Sequence, residues 1–448
     1  MADPQSVRAA GERGAGTPWT NWAQTVRTGP VDVYAPRDTA DVASAVALAA
    51  RTGRKVKPIG SGHSFTAIGE PVDLQLQLHG LSGIVSHDAA TGRVRVRAGT
   101  PLHVLNPALE ALGLAMPNLG DIDRQTISGA LSTGTHGTGL RFTGLSGFVT
   151  GVEMVLADGS IVRYDDGHRP DLVPAAAPGL GALGVITEYE LQCVPAFLLR
   201  AHEAPSTLDR LLGALDETVD SADHFEFYWF PHTDRVLTKI NTRLDDPALR
   251  DPLPRWREVL DDRILSNNLF EVVNRLTTAV PQAIPRINQL SSRVLSERTY
   301  TDSSYKIFAT QRTVRFKESE FAVPRAEVPG LLAELKAYCD RKDEVVAFPV
   351  EVRFTAADDR WMSTAYGRET GYVAIHQYHR RDHTAYFDAF WSLLRSIPEA
   401  RPHWGKMHDL DAGDLRKVYP KFDDFVALRD ELDPNRVFEN PYLAKVLG

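Results

Sequence analysis

The stretch that decides the fold is Ile59-Gly-Ser-Gly-His-Ser-Phe65, which directly follows the strand-like run Arg54-Lys-Val-Lys-Pro-Ile59. A second small-residue loop, Ser132-Thr-Gly-Thr-His-Gly-Thr-Gly139, lies further along the chain. Turns of this kind expose backbone N–H groups with no side chain in the way, which suits a pyrophosphate. His63 adds a nucleophilic imidazole that a phosphate-binding turn does not need. The two loops together predict a site for a phosphate-bearing cofactor beside a reactive histidine.

Two common nucleotide-binding motifs do not fit these loops. After Gly60 and Gly62, Phe65 stands where a Rossmann fingerprint would have its third glycine. Neither loop contains the Gly-Lys-Ser/Thr sequence of a loop that binds nucleoside triphosphates. The loops therefore indicate a different kind of cofactor site.

Length, charge and composition limit the class of protein that this chain can be. The chain has 448 residues, enough for two or three domains of roughly 100–200 residues each. Its 50 Lys+Arg against 58 Asp+Glu give a formal charge of −8, which argues against a nucleic-acid partner. We find no polybasic run, no apolar run near the ~20 residues of a membrane span and no signal peptide. We therefore expect a cytoplasmic protein without membrane insertion.

The two cysteines, Cys193 and Cys339, are too few for a disulfide framework and do not form a metal-type pair. We expect both to be small buried hydrophobic residues in a reducing compartment. No metal site is predicted from them.

Apolar periodicity outlines the secondary structure. In the first two hundred residues it predicts helices over 41–50 and 102–112, and strands over 54–59, 72–78, 93–97, 149–156, 160–164 and 184–192. Asp158-Gly159 predicts a hairpin turn between two of these strands. Beyond residue 197, strands are predicted over 224–230, 346–354 and 371–379, with a polar helical stretch reaching to about Ser296.

This order of elements predicts an α+β protein in four parts. They are a flexible leader over 1–17, a cofactor-binding domain over 18–197, a capping domain over 198–410 and a segment over 411–448. The capping domain is expected to carry a second sheet covered by helices on one face. The last segment is mostly helical and is expected to return to the first domain.

Six motifs in the same order resemble the vanillyl-alcohol-oxidase superfamily of FAD enzymes, and within it the sugar-lactone and alditol oxidase group. The resemblance covers nearly all of the chain, and the last two motifs resemble the gulonolactone oxidase branch. The motifs are Ile59-Gly-Ser-Gly-His-Ser-Phe65, Pro117-Asn-Leu-Gly120, Ser132-Thr-Gly-Thr-His-Gly137, Gly181-Ala-Leu-Gly-Val-Ile186, Val350-Glu-Val-Arg-Phe354 and Arg401-Pro-His-Trp-Gly-Lys406. The resemblance implies a two-subdomain FAD-binding domain and an α+β substrate cap with an antiparallel sheet.

The resemblance also implies that FAD is bound covalently, through His63 and the 8α-methyl carbon of the flavin. An imidazole must be neutral to attack there, and His is largely neutral near pH 7. The alternative is a histidine that only packs against the flavin or caps the turn. The positions that match FAD-lining residues of the family are Pro58, Ile59, Gly60, Ser61, Gly62, His63, Ser64, Gly120, Asp121, Thr126, Gly129, Ser132, Thr133, His136, Gly137 and Ile186. For each of them a plain turn or packing role is the alternative.

Three residues are the candidates for catalysis. Glu351 and Arg353 lie on one face of a predicted strand, because side chains alternate with period two, and they can present a pre-organised pair to sugar hydroxyls. A surface ion pair is the alternative. Lys406 matches a position where an ammonium stabilises negative charge on the substrate oxygen or on the reduced flavin. A lone lysine is more often a solvated surface residue.

Substrate preference and oxygen use depend on three further positions. The resemblance places Asp121 and His376 where the alditol enzymes carry a serine and a threonine, which favours lactones. Gly120 matches the gatekeeper beside the flavin, where alanine in some dehydrogenases obstructs oxygen; a turn glycine is the alternative. His376, His379 and His383 could suggest a metal, but 376 and 379 face opposite sides of a strand, so no metal is predicted.

The expected reaction is oxidation of a sugar lactone of the L-gulono-1,4-lactone type towards ascorbate. A hydride passes to FAD, and oxygen then reoxidises the flavin to give hydrogen peroxide. The alternatives are an alditol oxidase acting on xylitol or sorbitol, and a lactone dehydrogenase that uses another electron acceptor. A non-catalytic flavin- or sugar-binding protein could dispense with Glu351, Arg353 and Lys406, all of which are present. A metal-dependent hydrolase would need a histidine cluster and would be colourless.

Overall fold

The computed structural model describes residues 12–14, 16, 18–254, 270–293, 295–310, 314–341 and 345–448. The predicted leader over 1–17 lies mostly outside these residues. Part of the helical stretch predicted to reach Ser296 also lies outside them.

Two sheets form the first part of the chain. In spatial order, the four-stranded sheet contains Arg13–Gly14, Asp32–Tyr34, Leu74–Gln77 and Val56–Ile59, and the five-stranded sheet contains Ile161–Tyr164, Val149–Val155, Val185–Gln192, Arg93–Arg97 and Ile84–Asp88. Two short ribbons pair Pro18–Thr20 with Arg27–Pro30 and Leu114–Ala115 with Val194–Pro195. Leu74–Gln77 runs parallel to both of its neighbours, whereas the five-stranded sheet is antiparallel. The strands predicted in this region are confirmed, with small shifts at their ends.

An eight-stranded antiparallel sheet forms the second part. Its spatial order is Arg298–Ser303, Leu198–Thr207, Arg235–Leu244, His224–Trp229, Val350–Thr355, Thr370–Tyr378, Phe316–Pro324 and Arg401–Pro402. The predicted antiparallel sheet is confirmed. The helix predicted after residue 230 was wrong over Arg235–Leu244, which is a strand. Polar side chains such as Lys239 and Asn241 are buried on this strand, so its apolar alternation is interrupted.

Helices cover the sheets. The α-helices are Thr39–Arg51, Leu102–Ala111, Ile127–Ser132, Val173–Ala176, Leu208–Leu212, Leu215–Ser221, Phe270–Ala279, Ile284–Arg293, Ser304–Phe308, Val328–Arg341, Thr384–Leu394, Ala412–Val418, Phe422–Leu432 and Pro441–Leu447. Short 3₁₀ turns span Ala67–Gly69, Leu78–Gly80, Leu145–Phe148, Pro170–Leu172, Pro247–Leu249, Pro281–Ala283 and Arg325–Glu327. The first helix begins where the Asp38 side chain accepts a hydrogen bond from the Asp41 N–H, a standard N-cap.

The larger hydrophobic cluster belongs to the first part of the chain. It also contains residues of the last three helices, among them Leu415, Phe425 and Val446. The C-terminal segment therefore packs against the first two sheets. The boundaries proposed at 197/198 and 410/411 stay a prediction.

A second hydrophobic cluster lies between the eight-stranded sheet and the helices Val328–Arg341 and Thr384–Leu394. Val350, Val352 and Phe354 point into it. Because side chains alternate along a strand, Glu351 and Arg353 point to the opposite face. The charged face of this sheet is the one that borders the cavity described below.

Both cysteines are buried, and neither forms a disulfide bond with a described residue. Among the helices that the structure describes, none combines the length and the apolar character needed to cross a membrane.

Candidate active site

A cavity of about 970 Å³ is bordered by the first part of the chain and by the eight-stranded sheet. Cavities of this size can enclose a whole small-molecule ligand. All five predicted substrate residues line it, namely Asp121, Glu351, Arg353, His376 and Lys406. The histidine-bearing turn, including His63, lines the same cavity. The tertiary structure therefore brings both predicted constellations to one space.

A smaller cavity of about 110 Å³ shares part of its wall with the larger one. Residues of the turn, including Gly60 and His63, border both cavities. Of the sixteen predicted FAD-lining residues, Pro58, Ile59, Gly60, Ser61, Gly62, His63, Ser64, Gly120, Asp121, Thr126, Gly129, Ser132, Thr133, His136 and Ile186 line one cavity or both. Gly137 lines neither. A Cβ atom on Gly137 would lie 2.3 Å from the Leu119 carbonyl oxygen, so close packing explains this glycine.

The first glycine loop packs closely against the start of the helix that leads into the second loop. A Cβ atom on Gly60 would lie 2.3 Å from Oγ1 of Thr126, whose side chain caps the helix Ile127–Ser132. Gly62 and Gly134 have φ angles of 67° and 80°, a conformation that favours glycine. The loops thus form a cradle that larger residues would fill, and their backbone can approach a pyrophosphate. The residues present fit FAD.

His63 has the protonation state that a nucleophile needs. Burial, together with the positive charges of Lys406 and Arg124, lowers the pKa of His63 to about 4. The imidazole is therefore neutral near pH 7. Its ring centroid lies 5.7 Å from that of Trp22, whose backbone N–H donates to the Gly62 carbonyl at 2.8 Å. These contacts position the turn.

Glu351 and Arg353 form a buried ion pair, and they share a face as the alternation predicts. The register of the sheet places Glu226 and Tyr228 directly opposite them on the strand His224–Trp229. Arg353 Nε donates to Glu226 Oε2 at 2.9 Å, and the Tyr228 hydroxyl donates to Glu351 Oε1 at 3.3 Å. The pair is therefore held by the neighbouring strand, which excludes the solvated surface pair considered above.

Arg353 is surrounded by negative charge. Besides Glu351 and Glu226, Oδ2 of Asp121 lies 3.7 Å from its Nη2 atom. Burial alone would disfavour the guanidinium, but Glu351, Glu226 and Asp121 outweigh it and hold the pKa of Arg353 well above its ordinary value. Glu226 also contacts Nζ of Lys239 at 3.4 Å. This network fixes a permanent cation in the wall of the cavity.

Lys406 lies at the edge of the same cavity, with 22% of its side chain exposed. Its Nζ atom is 2.5 Å from Glu318 Oε2 and 5.2 Å from the centroid of the Phe65 ring. Within the same motif, Trp404 is fully buried and donates to the Met362 carbonyl, as expected of a packing residue. Lys406 is therefore a paired cation of the cavity wall.

Three buried residues could suggest a metal centre. Possible ligand atoms of His136, Glu320 and His403 lie within 4.8 Å of one another. His136 Nε2 already contacts Glu320 Oε1 at 3.1 Å, and His403 Nδ1 accepts a hydrogen bond from the Gly405 N–H at 3.0 Å. His136 also stacks on Tyr372, with ring centroids 3.5 Å apart. These hydrogen bonds and ring contacts explain why the three residues lie together without a metal ion. The cluster is part of the charge network of the cavity.

The three histidines considered as a possible metal site from the sequence do not belong to that cluster. His376 contacts Glu318, and Nδ1 of His383 lies 3.1 Å from Nζ of Lys317. Within the described residues, His376, His379 and His383 form no group with metal-type spacing.

Sequence reasoning assigned no role to several residues of the cavity and its network, namely Glu226, Tyr228, Glu318, Glu320 and His403. A signal existed in Glu318-Ser-Glu320, where acidic residues alternate on a strand that ends at Pro324. The strand itself was not predicted, so the alternation had no structural meaning.

Comparison with known proteins identifies the family. A family model described as D-arabinono-1,4-lactone oxidase matches residues 189–446, more than half of the chain. The chain belongs to the D-arabinono-1,4-lactone oxidase family. A model described as an FAD-binding domain matches residues 30–165, where the histidine-bearing turn lies. The family member described here is therefore an FAD-dependent oxidoreductase that acts on CH–OH groups.

Relatives match this family member over nearly all of its length. The L-gulono-1,4-lactone dehydrogenase of Mycobacterium tuberculosis is 40% identical, over 96% of this chain and 99% of the relative. The L-gulonolactone oxidase of Mus musculus is 33% identical, and the alditol oxidase of a Streptomyces species is 31% identical, each over 96% of this chain and 98% of the relative.

A solved structure agrees with the fold. The cholesterol oxidase of B. sterolicum superposes with a TM-score of 0.81 at 17% identity, covering 98% of this chain and 97% of that one. At this identity the likeness concerns the fold alone. It confirms the fold that the six motifs predicted.

Proposed function

We propose that the protein oxidises a sugar lactone of the L-gulono-1,4-lactone type, towards ascorbate. His63 would hold FAD covalently, and the bound flavin would supply the acceptor for the hydride, with molecular oxygen as the final oxidant and hydrogen peroxide as its product. The observation that carries the proposal is the single cavity lined by His63, Glu351, Arg353 and Lys406. In this cavity the neutral, nucleophilic imidazole of His63 lies near a rigid wall of polar side chains that suits sugar hydroxyls.

The side chains have separate tasks in this reaction. When bound, FAD supplies a two-electron acceptor for the hydride of the carbinol carbon. Arg353 donates hydrogen bonds to sugar oxygens from a guanidinium that its three carboxylate neighbours hold in place. Glu351 accepts hydrogen bonds from sugar hydroxyls. Lys406 remains an ammonium and stabilises negative charge on the hydroxyl oxygen of the substrate. The proton of that hydroxyl is released to solvent.

The preference for a lactone rests on the substrate end of the cavity. Asp121 and His376 line it together with the ion pair, and both are bulkier and more polar than the serine and threonine of the alditol pattern. Two relatives that match most of the chain are named for L-gulono-1,4-lactone or L-gulonolactone. An alditol oxidase is the second candidate, supported by the 31% identical Streptomyces relative.

The choice of electron acceptor rests on Gly120. This residue lines the cavity, and a Cβ atom added to it would lie 3.2 Å from both the His136 carbonyl oxygen and Cγ2 of Thr135. Glycine keeps this crowded position open, which favours access of oxygen. The Mycobacterium tuberculosis relative is named a dehydrogenase, which supports another acceptor as the alternative.

Anaerobic mixing with L-gulono-1,4-lactone is expected to bleach the visible flavin absorbance faster than xylitol or sorbitol does. Admission of oxygen should then restore the absorbance and form hydrogen peroxide. Faster bleaching by the alditols would assign an alditol oxidase instead. Slow recovery in oxygen with fast recovery in an added electron acceptor would assign a dehydrogenase. A flavin that neither the lactone nor the alditols reduce would refute the proposal.

Covalent attachment is tested by acid precipitation of the purified protein. We expect the yellow colour to stay with the wild-type pellet and to move to the supernatant, or to be absent, in His63→Ala, because the neutral imidazole at this position is the proposed attachment point. His103→Ala is the matched control, since His103 also lines the cavity. Covalent flavin in the His63→Ala pellet would contradict the assignment.

A further inference from the structure

Glu318 joins two of the residues assigned to the substrate end of the cavity. It lies on the strand Phe316–Pro324 and is only 5% exposed. Its Oε2 atom is 2.5 Å from Nζ of Lys406, and its Oε1 atom is 3.5 Å from Nε2 of His376. One buried carboxylate therefore contacts both side chains.

The backbone strengthens this arrangement. Glu318 lies directly opposite His376 in the antiparallel register, which sets the spacing between their side chains. The Glu318 carbonyl accepts a hydrogen bond from the N–H of Met407 at 2.9 Å. The segment that carries Lys406 is thus attached to Glu318 through the main chain as well as through the carboxylate. A long lysine side chain otherwise has many rotamers, so this attachment restricts where its ammonium points.

Glu318 also dominates the charge around Lys406. The charged and titratable groups that face the ammonium are Glu318 and Glu320 on the strand, Asp121 on its loop, His63 on the turn, His376 on the adjacent strand and His403 on the segment of Lys406 itself. Burial alone would lower the pKa of Lys406, but Glu318 and then Glu320 outweigh it and raise that pKa above its ordinary value. Without Glu318, burial would lower the pKa of Lys406, because less negative charge would remain nearby to raise it.

We propose that Glu318 is a positioning residue, which holds the Lys406 ammonium and the His376 imidazole at the substrate end of the cavity and acts on the reaction through them. The inference rests on the proposed function, in which Lys406 stabilises charge on the reacting oxygen. It extends that function by making both the charge and the direction of Lys406 depend on one carboxylate of the neighbouring strand.

Glu318→Gln tests the proposal, because it removes the charge and keeps the size of the side chain. The pKa of Lys406 should fall, and each unit of that fall lowers the ammonium fraction roughly tenfold at pH values above the new pKa. We expect anaerobic flavin reduction by the substrate to be at least about tenfold slower than in wild type near pH 9. The difference should shrink towards pH 6, where Lys406 is protonated again. Glu318→Asp, which keeps the charge, should restore the wild-type pH profile in part.

Glu203→Gln is the matched control. Glu203 is a buried carboxylate of the same sheet that pairs with Arg298 at 2.8 Å and accepts a hydrogen bond from the Tyr300 hydroxyl, but it does not line the cavity. This variant should lose stability and keep the wild-type pH profile. If Glu318→Gln only loses stability in the same way, with an unchanged profile, the proposal is overturned.

Two further measurements keep this inference separate from the proposed function. The reduction potential of bound FAD can be measured against pH without any substrate. In Glu318→Gln this potential should fall below the wild-type value at alkaline pH, because Lys406 loses its positive charge there. A wild-type flavin that no lactone reduces would refute the proposed function and leave this potential measurement valid. In the Lys406→Met background, Glu318→Gln should no longer alter the pH profile. Equal effects of Glu318→Gln in both backgrounds, or identical potential curves, would overturn the inference.

Discussion

The Lys406→Met variant is expected to reduce its flavin with substrate roughly 100 to 1,000 times more slowly than the wild-type protein, the usual cost of removing one group that stabilises developing charge. Methionine fills a similar space but carries no charge to stabilise the substrate oxygen. The measurement is the rate constant of anaerobic flavin reduction, followed by rapid mixing with L-gulono-1,4-lactone. FAD content should remain near the wild-type value, because Lys406 lies outside the two glycine loops.

Controls separate this effect from a folding defect. Lys406→Met leaves the buried Glu318 carboxylate without its partner at 2.5 Å, which destabilises the fold. The double variant Lys406→Met/Glu318→Gln removes that unpaired charge, so it should regain stability and remain slow. Lys417→Met, at a lysine whose side chain is 74% exposed, should react at the wild-type rate. Wild-type reduction rates in Lys406→Met would exclude a catalytic role for the ammonium.

The second large effect is expected in Arg353→Met. Removing one partner of a buried ion pair typically costs about 3–5 kcal/mol of folding free energy, because the remaining charge is left uncompensated. Here three carboxylates, those of Glu351, Glu226 and Asp121, face the guanidinium. We expect a clear fall in the denaturant midpoint and loss of measurable lactone oxidation, since the sugar hydroxyls lose their main donor. Denaturation followed by tryptophan fluorescence and the anaerobic reduction assay measure the two effects.

Arg298→Met serves as the comparison for Arg353→Met. Arg298 pairs with the buried Glu203 in the same sheet but does not line the cavity. This variant should lose stability and, in the folded fraction, still reduce its flavin at the wild-type rate. The proposed role of Arg353 would be contradicted if the Arg353→Met variant were as stable as wild type or oxidised the lactone at the wild-type rate.

Much of the candidate cofactor site could be predicted because its residues are contiguous. The turn around His63 and the loop around His136 each contain several informative residues within one short stretch, and local patterns of this kind carry structural meaning. The same holds for Glu351 and Arg353, since strand alternation places them on one face without knowledge of the rest of the fold. The family resemblance of these motifs agrees with the match to the FAD-binding and lactone oxidase models.

The residues that hold the proposed catalytic groups could not be predicted in the same way. Glu226 contacts Arg353 across two neighbouring strands, and Glu318 on a strand contacts Lys406 on a loop, between residues that are far apart in the chain. Such pairs depend on strand order and register, which in a sheet of non-consecutive strands are set by packing of the whole core. Glu318 lies on a strand that was not predicted, so from the sequence it looks like any solvated surface residue.

By itself, the sequence determined that the chain carries two glycine loops suited to a pyrophosphate, a histidine within the first of them, and an acid–base pair on one face of a strand. Only the tertiary structure decided that His63, Arg353 and Lys406 line one cavity, and that carboxylates distant in sequence, Glu226 for Arg353 and Glu318 for Lys406, help to set the charges of the last two. The reason is physical. Backbone geometry is local and can be read from neighbouring residues, whereas burial and charge pairing depend on distances between residues that folding alone brings together.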